Sequence, residues 1–182
     1  MEDLIKQSLA GNQDAYITLI KNIQIDLFRV AKAKLSNIDD INDAIQETII
    51  ISFENLKKLK HIEYFKTWII KILINQCNQI YRKSNKQLNI FNKLLNTNDY
   101  AHLEDTSIHS KEDELDFDIL IDKLNYNEKI VITLYYNNQF STKEITNILD
   151  TNVNTVKSRL TRAKKKLKIY YEEGDYDDKT NR

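Results

Sequence analysis

A run of amide, hydroxyl and cationic side chains near the carboxyl end of the chain has the composition of a surface that contacts DNA. Residues 151–171 contain no acidic side chain. Amides, hydroxyls and guanidinium groups can hydrogen-bond to base edges in a major groove, and lysines attract phosphates. The side chains predicted to face DNA are Asn154, Thr155, Lys157, Ser158, Arg159, Arg162, Lys164, Lys165 and Lys166. Lys157 and Arg159 are the best candidates for contact with guanine.

The elements that must position these side chains are two short helices joined by a tight turn. Ser141 and Glu144 have the spacing of a capping box, which predicts that a helix begins at Thr142. Residues 150–152 interrupt the apolar pattern, and Asn152 can cap a second helix. Apolar residues then recur at steps of three and four, at Val153, Val156, Leu160, Ala163 and Leu167. This pattern predicts a DNA-binding helix-turn-helix, and a solvated helical hairpin without DNA is the alternative.

Composition limits the fold class and the kind of partner. The 182 residues are enough for one domain or two small ones. Basic and acidic residues balance at 27 each, so only the charge distribution favours a nucleic acid. Acidic residues crowd residues 99–118, and bases crowd the last predicted helix. With no proline and only two glycines, the chain favours helices over hairpins.

Several function classes find no support in the residues. The single cysteine, Cys77, cannot form an internal disulfide, which fits a reducing compartment. No histidine lies at metal-ligand spacing, and no nucleophile–base pair or phosphate loop is present. We therefore expect no metal, no cofactor and no enzymatic activity. The acidic amino terminus is unlike a signal peptide, and no apolar run approaches the roughly 20 residues that span a bilayer. The expected location is the cytoplasm.

The periodicity predicts an all-α chain of two small helical domains joined by a flexible acidic linker. The first domain, residues 1–86, carries helical patterns over 4–9, 14–35, 39–59 and 63–83. The apolar face predicted for 14–35 consists of Tyr16, Leu19, Ile20, Ile23, Leu27, Val30 and Ala31. The apolar face predicted for 39–59 consists of Ile41, Ala44, Ile45, Ile49, Phe53 and Leu56. The linker covers residues 87–112 and includes a short helix at 90–95. Residues 113–171 form the second domain, which includes a helix over 127–136 and the helix-turn-helix. The acidic tail, residues 172–182, is expected to be frayed.

Five short motifs carry a resemblance to a known family. They are AGNQDAY at 10–16, DAIQET at 43–48, FKTWI at 65–69 with Asn75 after it, EI at 144–145 and NTVKSRL at 154–160. In this order they resemble the sigma factors of bacterial RNA polymerase, within them the small extracytoplasmic-function group. The resemblance covers nearly the whole chain except the linker and tail. It implies a protein that binds core RNA polymerase and directs promoter-specific transcription initiation.

The resemblance implies a polymerase-binding face on the helix of residues 39–59. Asp43, Gln46 and Glu47 lie three and four residues apart, so they share one helix face opposite the apolar residues. In the family this face docks on the clamp helices of the largest polymerase subunit. Carboxylates that face a basic partner set orientation and encounter rate more than affinity. An ordinary solvated helix surface is the alternative for these residues taken alone.

The resemblance also implies DNA contacts in the first domain, at the minus-ten promoter element. A melting loop corresponds to residues 57–64, where His61, Tyr64 and the adjacent Phe65 could stack on or wall in a flipped base. Asn75 matches a position used near that element. Arg82 and Lys83 would hold phosphates. Trp68 would support the helix behind the loop.

The second domain is expected to recognise the minus-35 element through the helix that begins near Val153. Many family members have glycine at positions 150 and 154, where this chain has Asp150 and Asn154, and a proline where it has Asn125. The expected partners are core RNA polymerase, promoter DNA and an anti-sigma factor. Two other classes stay open from the residues: a stand-alone helix-turn-helix regulator and a helical adaptor that binds only protein.

Overall fold

The computed structural model describes residues 1–95 and 120–180, and the side chains of residues 1–84 and 120–171. Within these ranges the chain is helical and has no strand, as the all-α prediction requires. The chain divides into two compact units, Met1–Asp105 and Thr106–Arg182. Residues 96–119, which include most of the predicted acidic linker, lie outside the described part.

Residues 1–95 of the first unit form four helices: α1 (Glu2–Leu9), α2 (Gln13–Lys32), α3 (Ile38–Asn55) and α4 (Phe65–Leu95). Asparagine side chains begin two of them. The Asn12 side chain accepts a hydrogen bond from the backbone N–H of Ala15, and Asn37 accepts from two N–H groups at the start of α3. Such caps satisfy backbone donors that have no partner inside the helix. Two single 3-10 turns, Leu56–Lys58 and Ile62–Tyr64, lead from α3 to α4.

The core of the first unit follows the predicted apolar face of α2. All seven apolar positions predicted on α2 are buried: Tyr16, Leu19, Ile20, Ile23, Leu27, Val30 and Ala31. Phe65, Ile69 and Leu73 of α4 are also buried. Helices α3 and α4 both pack on α2 and on each other. The three-helix packing fixes which faces of α3 and α4 remain outside.

The predicted inward face of α3 was wrong at its carboxyl end. Phe53 is 46 % exposed, although its pattern position suggested the core, while Thr48 and Ser52 are fully buried. Thr48 donates its hydroxyl to the carbonyl of Ala44 at 2.6 Å, and Ser52 bonds to the Tyr16 hydroxyl. Because these hydroxyls find partners on helices, their burial leaves no polar group unpaired.

Helix α4 is longer than the sequence analysis predicted. It was expected to end near residue 83 and to be followed by a linker with a separate short helix at 90–95. The helical backbone instead continues without a break to Leu95. No glycine or proline interrupts residues 65–95, so no residue there has a strong propensity to end the helix.

The second unit contains three helices in the described range: α5 (Tyr126–Ile132), α6 (Thr142–Leu149) and α7 (Val153–Thr180). Residues 120–122 are also helical. The Asn125 side chain caps α5 by accepting from the backbone N–H of Glu128, so asparagine replaces the family's proline with a hydrogen bond. The core residues include Ile130, Leu134 and Ile145.

Two boundaries in the second unit differ from prediction. The helix predicted over 127–136 is α-helical only to Ile132, and a π-helical turn, Thr133–Asn137, follows it. The tail was expected to fray after residue 171, but the backbone of α7 is helical to Thr180, past Gly174. A single glycine costs a helix only about 1 kcal/mol, which the rest of a long helix can offset.

Candidate nucleic-acid and partner interfaces

Three local interactions define the ends of the two helices in the helix-turn-helix. In the predicted capping box, the backbone N–H of Ser141 donates to the Glu144 carboxylate at 2.9 Å, and the N–H of Glu144 donates to the Ser141 hydroxyl at 3.3 Å. Asp150 ends α6 in the left-handed region, with φ 46°. Aspartate tolerates this region better than most residues, which explains how it replaces glycine here. Asn152 caps α7 through the N–H of Thr155 at 2.8 Å.

The two faces of α7 separate as the spacing predicted, except at its first residue. Val156, Leu160 and Ala163 are buried, whereas Val153 is 40 % exposed and does not belong to the core. On the outer face Asn154, Lys157, Ser158 and Arg162 are exposed, and Thr155 and Arg159 are half-buried. The Ser158 hydroxyl donates to the carbonyl of Thr155, so it faces a ligand chiefly as an acceptor.

The three lysines that follow have different surroundings. The Lys164 ammonium lies over two tyrosine rings, 5.1 Å from the centroid of Tyr135 and 5.4 Å from that of Tyr136. Lys165 is exposed. The Lys166 ammonium donates to the Glu128 carboxylate at 2.8 Å. Sequence reasoning treated the three as one set of phosphate contacts, because partners that lie far along the chain leave no local pattern.

In the first unit the predicted melting loop exposes both of its ring side chains, His61 and Tyr64, whereas the adjacent Phe65 is buried. Tyr64 is 55 % exposed, and the His61 ring meets it edge-on at 6.0 Å between centroids. The His61 imidazole also lies 3.2 Å from the Glu63 carboxylate. Phe65 is only 1 % exposed, so the expectation that it stacks directly on a base is wrong. Its ring packs 6.0 Å from that of the half-buried Trp68.

The predicted polymerase-binding residues line a groove between α3 and α4. Asp43, Gln46 and Glu47 are all exposed and share a face of α3. The groove has a volume of about 490 Å³. Its other lining residues, which the sequence analysis did not assign to this face, are Ile50, Gln76, Gln79, Ile80 and Lys83. We call this surface the acidic groove.

The acidic groove contains apolar surface as well as charge. Ile50 is 52 % exposed, although it is a large aliphatic side chain. Its position continues the series of residues 43, 46 and 47 by one helical turn, so the spacing could have identified it. Lys83 had been assigned to phosphate contact, and the structure places it on the wall of the groove that Asp43 and Glu47 also line. Asn75 and Arg82 are exposed on α4 and do not line the groove.

Cys77 and Lys34 form a buried pair in the first unit. Burial raises the pKa of the Cys77 thiol to about 12, which disfavours the reactive thiolate and fits a packed cysteine. Lys34, just after α2, is 9 % exposed, and burial lowers the pKa of its ammonium to about 8.

Comparison with known proteins matches both units. Residues 19–87 match the family model of sigma-70 region 2, and residues 115–167 match that of sigma-70 region 4. The chain belongs to the sigma-70 family. Among its relatives, the RNA polymerase sigma factor SigV of Bacillus subtilis is 29 % identical over 84 % of this chain and 89 % of that protein. The extracytoplasmic-function sigma factor SigW of the same organism is 26 % identical over 90 % of this chain and 92 % of that protein.

Solved structures agree on the fold of this sigma factor. The sigma factor RpoE, in complex with the anti-sigma factor NepR from Bartonella quintana, has a TM-score of 0.65 at 22 % identity. That likeness covers 85 % of this chain and 97 % of RpoE. CnrH, in complex with the cytosolic domain of CnrY, has a TM-score of 0.64 at 20 % identity and covers 94 % and 97 % of the two chains.

The described residues contain neither a cluster of metal ligands nor a long apolar helix. No group of three His, Cys, Asp or Glu side chains within that part of the sigma factor could hold a metal ion. Among the same residues, no helix combines the length and the apolar content needed to cross a membrane.

Proposed function

We propose that this sigma factor binds core RNA polymerase through the acidic groove and directs initiation by contacting promoter DNA with both units. The observation that carries the proposal is the outer face of α7. Two caps and a left-handed turn define the helix-turn-helix formed by α6 and α7. The exposed side chains on the outer face of α7 are amides, hydroxyls and cations. Its membership of the extracytoplasmic-function group of sigma-70 proteins supports the same conclusion.

The acidic groove suits a partner that presents both basic and apolar side chains. Asp43 and Glu47 provide negative charge, and the exposed Ile50 adds apolar surface to the same groove. Charged rims steer encounter and fix register, while a buried apolar contact contributes affinity. The clamp helices of the largest polymerase subunit are the proposed occupant.

The first unit is proposed to capture a base of the minus-ten element. Tyr64 and His61 are the exposed rings of the loop, and stacking on an aromatic ring is worth about 1–3 kcal/mol per base. Phe65 and Trp68 lie behind them and support the loop from the core side. Asn75 is available to hydrogen-bond a base edge, and Arg82 is available to a phosphate.

The second unit is proposed to read the minus-35 element through α7. Arg159 is the strongest candidate for a bidentate guanine contact, with Lys157 as a second donor. Asn154 and Thr155 lie in the first turn of α7, where helix-turn-helix proteins contact bases.

Neither rival class uses the whole chain. A stand-alone regulator would not explain the region 2 match or the acidic groove. An adaptor that binds only protein would not explain the polar and cationic outer face of α7. Family members are initiation factors, so the sigma factor is proposed to catalyse no reaction itself. Because RpoE is found in complex with an anti-sigma factor, we extend the proposal to regulation by such a protein.

In vitro transcription tests the proposal directly. Purified core polymerase is incubated with and without this protein over a library of promoter sequences, and transcript start sites are mapped. The expected result is defined starts that depend on the protein and share two upstream sequence elements. A stand-alone regulator would instead bind a specific duplex without polymerase, and an adaptor would show no salt-dependent affinity for DNA.

A further inference from the structure

A long-range polar contact in the second unit joins α5 to α7. The Glu128 side chain is only 4 % exposed, and its carboxylate lies 2.8 Å from the Lys166 ammonium, 38 residues further along the chain. A buried carboxylate that loses its cation is strongly unfavourable. Lys166 therefore acts on the position of α7 and has little free charge to offer a phosphate.

Cation–π contacts at Lys164 and Tyr170 also join α7 to other parts of the second unit. Lys164 lies over the rings of Tyr135 and Tyr136. One turn beyond Lys166, the Tyr170 ring lies 5.4 Å below the ammonium of Lys123. In such cation–π contacts the ammonium is attracted electrostatically to the face of the ring. Residues 164 and 166 lie on opposite flanks of α7, and both, like Tyr170, have a partner elsewhere in the unit.

Helix geometry places Lys165 with the residues proposed to face DNA. Each residue turns an α-helix by roughly 100°, so Lys165 points about 200° away from Ala163, which is fully buried. Steps of three, four and four residues lead back from Lys165 through Arg162 and Ser158 to Asn154, all of which are exposed.

We propose that Lys165 alone in the three-lysine run contacts a DNA phosphate, and that Lys166 and Glu128 are positioning residues that set the orientation of α7. The assignment of Lys165 rests on the proposed function, whereas the Glu128–Lys166 pair can be tested without DNA.

The test without DNA uses equilibrium unfolding of the full-length protein in urea. We expect Lys166→Met to raise the unfolding equilibrium constant at least tenfold, because Glu128 loses its cation. Glu128→Gln combined with Lys166→Met should return it to within about threefold of the wild type, since no buried charge remains. Lys165→Met is the matched control and should change it less than threefold. Equal effects of Lys165→Met and Lys166→Met would overturn the positioning role.

The test with DNA uses holoenzyme and a promoter selected in the transcription experiment. Lys165→Met should reduce the slope of log affinity against log salt concentration by about one, as expected for one lost phosphate contact. The Glu128→Gln, Lys166→Met double variant should keep the wild-type slope, because no phosphate contact is lost, while its promoter preference should relax, because the pair that orients α7 is gone. A reduced slope in the double variant, or an unchanged slope in Lys165→Met, would overturn the assignment. A wild-type protein that directs no transcription would refute the proposed function instead, and the unfolding result would still decide the pairing.

Discussion

The hydroxyl of Tyr16 lies 2.6 Å from the Oγ of Ser52 and donates to the carbonyl of Ile49 at 2.8 Å, joining α2 to α3 inside the first unit. Burial raises the pKa of this tyrosine, because it disfavours the phenolate. The contact fixes the rotation of α3, and that rotation turns Asp43 and Glu47 outward to the acidic groove.

Removing the Tyr16 hydroxyl should destabilise the first unit. We expect Tyr16→Phe to lower the free energy of unfolding by about 1 kcal/mol, since a buried hydrogen bond is lost while the ring stays packed. Ser52→Ala combined with it should cost less than the sum of the single changes, because the two hydroxyls share one network. Urea titration measures both, with the exposed Tyr64→Phe as the control. Additive effects would show that the two hydroxyls do not interact.

Reversing the charge of the acidic groove should block assembly with polymerase. We expect Asp43→Arg with Glu47→Arg to reduce binding to core polymerase at least tenfold, because the clamp-facing charge changes sign. Glu2→Arg with Asp14→Arg is the control: it makes the same change in net charge at two exposed acidic residues outside the groove. Co-migration on size exclusion measures assembly, and circular dichroism checks folding. Holoenzyme assembly by the groove variant would contradict this docking face.

The shape of the groove should matter apart from its charge. We expect Ile50→Ser to weaken polymerase binding by about 1–2 kcal/mol, because an exposed aliphatic side chain becomes buried only in the complex. Ile25→Ser is the matched control, since Ile25 is 67 % exposed on α2 and lies outside the groove. Titration of labelled protein with core polymerase gives both affinities. Equal losses for the two variants would remove Ile50 from the interface.

Loss of the Arg159 guanidinium should relax recognition of the upstream promoter element. We expect Arg159→Ala to weaken binding by about 1–3 kcal/mol for promoters with the preferred base and much less for others. Transcription from a library with randomised upstream sequence measures the change in preference. Lys21→Ala, which removes an exposed cation from the first unit, is the control. An unchanged preference would exclude base contact by Arg159.

The first unit should become more stable as pH rises from about 8 to 10.5, because the buried ammonium of Lys34 loses its charge. Burial lowers the pKa of its ammonium from 10.5 to about 8, so below pH 8 the folded protein carries the full cost of a buried charge. Between the two values the unfolded chain binds more protons than the folded one, and stability therefore increases with pH. Above 10.5 the cost is gone.

A comparison with Lys34→Met isolates this contribution. The free energy of unfolding of the wild type, minus that of the variant, should rise by about 1–2 kcal/mol between pH 8 and 10.5. This change is smaller than the pKa shift alone implies, because water near the ammonium screens its charge. The raised pKa of Cys77 acts in both proteins above pH 9 and largely cancels in the difference. A difference that stays flat with pH would mean that Lys34 is not desolvated.

The amino-acid sequence alone determined the local structure of this sigma factor. The capping box of Ser141 and Glu144, the Asn152 cap and the apolar face of α2 were all predictable, because each depends on residues three or four positions apart. The order of its motifs was likewise enough to identify the family.

Only the tertiary structure determined which side chains pair with each other and which are buried within each unit. Tyr16 and Ser52 are 36 residues apart, and Glu128 and Lys166 are 38 residues apart, so their pairing depends on how helices pack. The buried Ser52, the exposed Phe53 and the different surroundings of Lys164, Lys165 and Lys166 follow from that packing. Helical periodicity specifies which residues share a face, but the neighbouring helix determines whether that face is buried or exposed.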